Sequence, residues 1–268
     1  MREVDQALAR VYAQRTNAEH GGVPPAPHLS PRPAEAKVAN VETDSHEPEA
    51  STSAARFVEA SELQWPATVR TLERQYGDRF SHMADALIQA RDQKALKVLL
   101  FTSCHRAEGR TTLVLTVARA LARRPGRTLL VDADLAGPML ARQLGLRPKV
   151  GLEDVVEDGI ALSEALIDAP DDHLTILPIR APIARPKDFL ANPAWSCVLA
   201  RLRREFDLVL LDGSPLFAGL SATVLHRSID AAVLVHNSSL TGERGLLRAR
   251  EVLDSGGIPL LGLAETFV

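Results

Sequence analysis

The sequence predicts a doubly wound α/β domain, a mostly parallel sheet flanked by helices. From Lys97 onward, short apolar runs alternate with amphipathic stretches, the rhythm of strands and crossover helices. Several of these runs are apolar throughout, as expected of parallel strands covered on both faces. Three of them end in polar signatures, "TSCHRAEGRTT", "DADLAGP" and "DGSP". In open sheets of this kind ligands gather beyond the carboxyl ends of the strands.

The bulk numbers bound the answer. The chain has 268 residues, 46% of them hydrophobic, and a net charge of −3, enough for one good core with a tail attached. A near-neutral balance gives no electrostatic reason to expect a nucleic-acid partner. Arg201, Arg203 and Arg204 are followed at once by Glu205 and Asp207 and read as a solvated helix face. Two cysteines, Cys104 and Cys197, cannot make a disulfide framework and fit a reducing cytoplasm. The opening "MREVDQALARVYAQR" has no apolar core of a signal peptide. No run approaches the roughly 18 apolar residues of a membrane span, so direct membrane insertion is not expected.

Each element follows in order. Val4, Leu8, Val11 and Tyr12 fall at helical spacing and predict a short amphipathic helix over 1–16. Residues 17–60 are rich in proline, poor in large apolar side chains and without period, and read as a disordered linker. Order is expected from Leu63, giving an α/β domain over 63–268. The stretch from Trp65 to Gln93 predicts one or two helices, with Leu72, Tyr76, Phe80, Met83 and Leu87 as the apolar stripe. On that stripe Tyr76 is expected in the core. Strands are expected at "KVLLFTS", "RTLLVDAD", "LTILPI", "DLVLLDGS", "AAVLVHN" and "PLLGLAE", and helices at 111–123, 193–205 and 242–255.

The chemistry is expected where three strands end. Gly109 stands where a loop turns into a helix, and first-turn N–H groups with the helix dipole make an anion site there. Ala107, Glu108, Gly109, Arg110, Thr111 and Thr112 would line it, with the Thr111 hydroxyl placed for Mg²⁺ and Thr112 placed to cap. The stretch matches G-x-x-x-x-G-K-[ST] at its last glycine and at Thr111, but has Cys104 for the first glycine and Arg110 for the lysine. Asp132 and Asp134 end one apolar run and Asp212 ends another. Each acid alone could simply cap the next turn. Together beside such a loop they are expected to be catalytic, with Thr111, Asp132 and Asp212 holding Mg²⁺.

"SCHRAEGRTT", "RTLLVDADLAGP" and "FDLVLLDGSPL" in series resemble the bacterial tyrosine kinases of polysaccharide synthesis and export. These belong to the P-loop NTPase class that also holds partitioning and division-site ATPases. The resemblance covers roughly 63–268. It implies ATP or ADP with Mg²⁺, a membrane-bound polysaccharide synthesis or export partner, and a cytoplasmic place at the inner face of the membrane. The family shows P-G-E-G-K-[ST] where this chain has Arg106, Ala107, Glu108, Gly109, Arg110 and Thr111; D-x-D-x-R where it has Asp132, Asp134 and Ala136; and D-x-x-P at Asp212 and Pro215. Ala107 in place of glycine is expected to restrict the loop. Arg110 keeps a cation at the phosphates in a longer, planar form, so binding survives while turnover falls.

Other departures follow. The family's E-x-x-R-x-x-R assembly motif aligns with Asp78, Ser81 and Ala84, so the usual ring is not expected, although an oligomer stays open. The family's C-terminal tyrosine cluster has no counterpart in "LGLAETFV", and the tyrosines are Tyr12 and Tyr76. His105 and Arg106 are expected to be solvated. The leading expectation is a nucleotide-binding regulator or weak ATPase. The alternatives are a protein-tyrosine kinase using Arg110 on another protein, or a non-catalytic scaffold with a vestigial site. A partitioning-type ATPase lacks its extra lysine and a basic surface for DNA.

Overall fold

The computed structural model describes residues 58–59, 62–218 and 228–266. The expected N-terminal helix and nearly all of the expected linker lie outside them. Eight strands form one sheet: β1 (Val58–Glu59), β2 (Val98–Ser103), β3 (Thr128–Ala133), β4 (Ile167–Ala169), β5 (Leu174–Leu177), β6 (Leu208–Gly213), β7 (Ala231–His236) and β8 (Leu260–Glu265). Their spatial order is β1-β4-β5-β3-β6-β2-β7-β8. All pairings are parallel except β4 with β5. β1 lies within the stretch read as linker, and β4 has no counterpart among the expected strands. Both are too short to show a period.

The long helix α1 (Ala67–Lys94) is broken at Tyr76, whose φ of −131° and ψ of 23° are not helical. Gly77 follows at the break, and glycine is a recognised cause of such kinks. Tyr76 is 41% exposed there, not in the core, because the kink rotates the stripe: Val69, Ala84 and Leu87 are the buried positions. Helix α2 (Arg110–Ala122) lies beside α1. Both pack on the sheet face that carries Leu99, Phe101, Leu130, Leu210 and Val233.

The alternate residues Val98, Leu100, Leu129, Val131, Val209 and Leu211 point to the other face. They meet α4 (Leu152–Glu157), α5 (Leu162–Ala165), α6 (Pro186–Ala191), α7 (Pro193–Glu205) and α8 (Glu243–Ser255). The period of two thus feeds two cores at once, which is why these strands read as unbroken apolar runs. A four-residue helix, α3 (Leu140–Gln143), follows β3. No helix among the described residues is long and apolar enough to cross a membrane.

The strand order positions the site. β6 is inserted between β2 and β3, with Phe101 opposite Asp212 on one side and Asp132 opposite Asp212 on the other. The carboxyl ends of these three adjacent strands therefore open at one edge.

Candidate functional site

The loop after β2 wraps over the start of α2. Ala107 takes φ 63° and Gly109 φ 79°, both in the left-handed region. Ala107, expected to restrict the loop, therefore itself adopts the positive φ. Its side chain is exposed, so the cost is the local one of a Cβ at positive φ, about 1 kcal/mol.

Glu108 is 1% exposed and faces inward rather than toward a ligand. Its carboxylate accepts the His105 N–H at 2.6 Å, the Asn237 N–H at 3.3 Å and the Thr241 hydroxyl. Its carbonyl accepts the Thr266 hydroxyl at 2.8 Å. The loop is held in shape from behind. Cys104, fully buried beneath it, has its thiol pushed up to about 11 by burial and by the Glu108 charge, so it is inert.

In front lies a cleft of about 220 Å³ lined by the loop from Arg106 to Thr112 and by Asp134, Gly137 and Met139. All of the expected cofactor-binding residues are on its wall. The first N–H groups of α2 have no intrahelical acceptor and face an anion-sized space.

Arg110 lines that cleft, but its side chain is engaged by other residues. It is 8% exposed and its guanidinium turns toward the sheet. Nε donates to Asp212 Oδ1 at 3.1 Å, Nη1 to Ser103 Oγ at 3.0 Å and Nη2 to Asp134 Oδ2 at 2.9 Å. The expectation of a cation at the phosphates is corrected here: a planar fork satisfies two buried carboxylates at once, where a lysine offers a point charge. Arg106, expected to be solvated, also bonds Asp134, through Nη1 at 3.0 Å and Nη2 at 3.3 Å. It lies across Gly137, where a Cβ would come within 2.8 Å of Nη1.

The acids divide. Asp134 meets Arg106, Arg110 and the Ser214 hydroxyl, the last at 3.0 Å. Asp212 meets Arg110 and the Thr111 hydroxyl, the latter at 2.8 Å. Burial pushes its carboxyl up, while the Arg110 guanidinium and Thr111 oppose the rise. Asp132 accepts the backbone N–H groups of Met139 at 3.0 Å, Leu140 at 2.9 Å and Asp134 at 3.3 Å, and so caps the start of α3. Burial, with Asp212 opposite, pushes it up to about 8. Ser103 and Ser214 were not singled out from sequence, although "TSC" and "DGSP" place them one residue beyond a buried strand position.

Magnesium asks for oxygen ligands in a near-ideal octahedron. Here every carboxylate oxygen of Asp132, Asp134 and Asp212 already accepts a protein donor, and a guanidinium sits among them. Among the described residues no group of three or more His, Cys, Asp or Glu is arranged to hold a metal ion. With their oxygens so paired, the expected set of Thr111, Asp132 and Asp212 does not fit Mg²⁺.

Fold and loop together define a P-loop NTPase-type protein. No family model matches the chain. The tyrosine-protein kinase CpsD of Streptococcus pneumoniae is 27% identical over 169 residues, covering 63% of this chain and 74% of that protein. The tyrosine-protein kinase YwqD of Bacillus subtilis is 29% identical over 170 residues, covering 63% and 71%. Among solved structures, the VpsO kinase domain matches with a TM-score of 0.64 at 24% identity, covering 73% of this chain and 98% of that one. The septum site-determining protein MinD of Pyrococcus horikoshii, complexed with Mg-ADP, matches with a TM-score of 0.53 at 26% identity, covering 62% and 68%. In sequence the chain is similar to bacterial tyrosine kinases, and kinase domains and MinD-type ATPases are among its structural neighbours.

Proposed function

We propose that the protein is an ATP- or ADP-binding regulator, or a weak ATPase, of an envelope polysaccharide system. It works at the inner face of the membrane through a membrane-bound synthesis or export protein. The observation that carries the nucleotide part is the cradle: left-handed Ala107 and Gly109 turn the loop around the start of α2, with Arg106 on the rim of the cleft. Kinship with CpsD and YwqD supports the system and the class of partner.

When bound, a nucleotide supplies a chain of phosphates. The protein's own part is to receive their charge with first-turn N–H groups and Arg106; the helix start itself has Gly109 at its cap position and no capping side chain. Turnover is weak because Arg110, which would stabilise charge building on the transferred group, is committed to Asp134 and Asp212. The same commitment argues against an active kinase working through Arg110.

Titration of the purified chain with a fluorescent ADP analogue should show saturable binding, weakened about tenfold by Arg106→Ala. If neither ADP nor ATP binds at millimolar concentration, the regulator reading fails and the scaffold reading takes its place.

A further inference from the structure

We propose that Arg110 is the resident cation of this site, so that the protein takes a nucleotide's phosphates without Mg²⁺. The inference rests on the nucleotide reading above.

Three facts of geometry carry it. The Arg110 guanidinium lies between the two carboxylates nearest the loop, 3.1 Å from Asp212 and 2.9 Å from Asp134. Its third nitrogen is held by Ser103 Oγ at 3.0 Å, so the group is fixed in place rather than resting on one contact. The Thr111 hydroxyl, expected on a metal, donates to Asp212 at 2.8 Å, which draws that residue into the same cluster.

Charge makes the arrangement exclusive. Asp134 and Asp212 face two guanidiniums, Arg106 and Arg110, so the negative charge that would attract a divalent ion is already matched. A divalent cation entering beside Arg110 would meet like charge in a buried setting, where repulsion is weakly screened. It would also have to take oxygens from a fork that binds them in two directions. Asp132 offers no substitute, since its oxygens accept backbone N–H groups. The fixed cation does for the acids what a metal would do, and the helix start is left to meet the phosphates.

Two measurements on the full chain test this. In the first, ADP-analogue affinity is compared in millimolar Mg²⁺ and in EDTA. Wild type should keep the same Kd within about twofold, whereas Arg110→Ala should become metal-dependent by about tenfold or more. In the second, Mn²⁺ binding is followed by electron paramagnetic resonance without nucleotide. Wild type should bind none at this site, and Arg110→Ala should gain one ion, with a metal-dependent rise in its melting temperature. If Arg110→Ala fails to fold, Arg110→Gln, which is shorter but keeps a hydrogen-bonding group without the charge, serves both comparisons.

A wild type that binds ADP in Mg²⁺ and loses about tenfold or more in EDTA overturns the inference and leaves the nucleotide reading standing. A wild type that binds no nucleotide in either buffer overturns that reading instead. The Mn²⁺ comparison then decides the role of Arg110 by itself, and a variant that gains no ion refutes it.

Discussion

Asp132 and Asp212 face each other across neighbouring strands, paired in register between β3 and β6. Both are aspartates at the end of an apolar run, and both are buried, at 0% and 1% exposure. They do different work. Asp212 binds a guanidinium and a hydroxyl from the loop side. Asp132 binds backbone N–H groups of the turn behind it and has no cation. The strand end sets where a carboxylate sits, but the next segment decides what it does. β6 is followed by "SPL" and lies against the loop, whereas β3 runs into a tight turn whose N–H groups need an acceptor.

The largest effect should come from breaking the Asp212 side. Asp212→Ala leaves the Arg110 guanidinium buried with one of its two carboxylates gone, and should cost about 3 kcal/mol or more in urea unfolding. A loss below about 1 kcal/mol would mean that the pair contributes little and the contrast with Asp132 is false.

The Asp132 side should show itself in pH dependence. The native state holds this proton up to about pH 8, while an ordinary aspartate loses it near 3.8. Between those limits the native state binds more protons than the unfolded chain, so stability falls as pH rises, by up to about 1.4 kcal/mol per pH unit. Asp132→Asn removes the titration. The difference in unfolding free energy between wild type and variant should therefore shift steadily against wild type from pH 5 to 8, then level off. Parallel curves over that range would place Asp132 as an ordinary ionised acid.

The smallest effect concerns the loop itself. Ala107→Gly relieves positive φ at an exposed site, set against the greater freedom that glycine brings to the unfolded chain, and should stabilise by about 0.5 kcal/mol. Because the change touches the loop side alone, the pH dependence assigned to Asp132 should stay as it was. Destabilisation would show that the Ala107 Cβ makes a contact the loop needs.

What was legible in the sequence was what periodicity writes. Every apolar run from "KVLLFTS" to "PLLGLAE" became a strand, and α7 spans Pro193–Glu205 as expected, opened by a proline behind Asn192, whose side chain accepts the Ala194 N–H. The strand order brings β2, β6 and β3 together, and with them the loop and its three acids. The direction of side chains was not legible. Nothing in "EGRTT" says whether an arginine faces outward to phosphate or inward to acids, since that depends on Asp134 and Asp212, 24 and 102 residues away. Nor does the stripe that placed Tyr76 in the core announce a kink at Tyr76 itself. β4, three residues long, is ordered by its pairing with β5 and has no pattern of its own.

The anchoring of Glu108 has a consequence for how a ligand would be received. A loop tied from beneath to Asn237 just past β7, to Thr241 and to Thr266 lost its conformational freedom when the chain folded. An incoming phosphate therefore meets a mould already set, and association carries little further ordering entropy. Uptake should then be governed by charge and diffusion rather than by a slow closure of the loop.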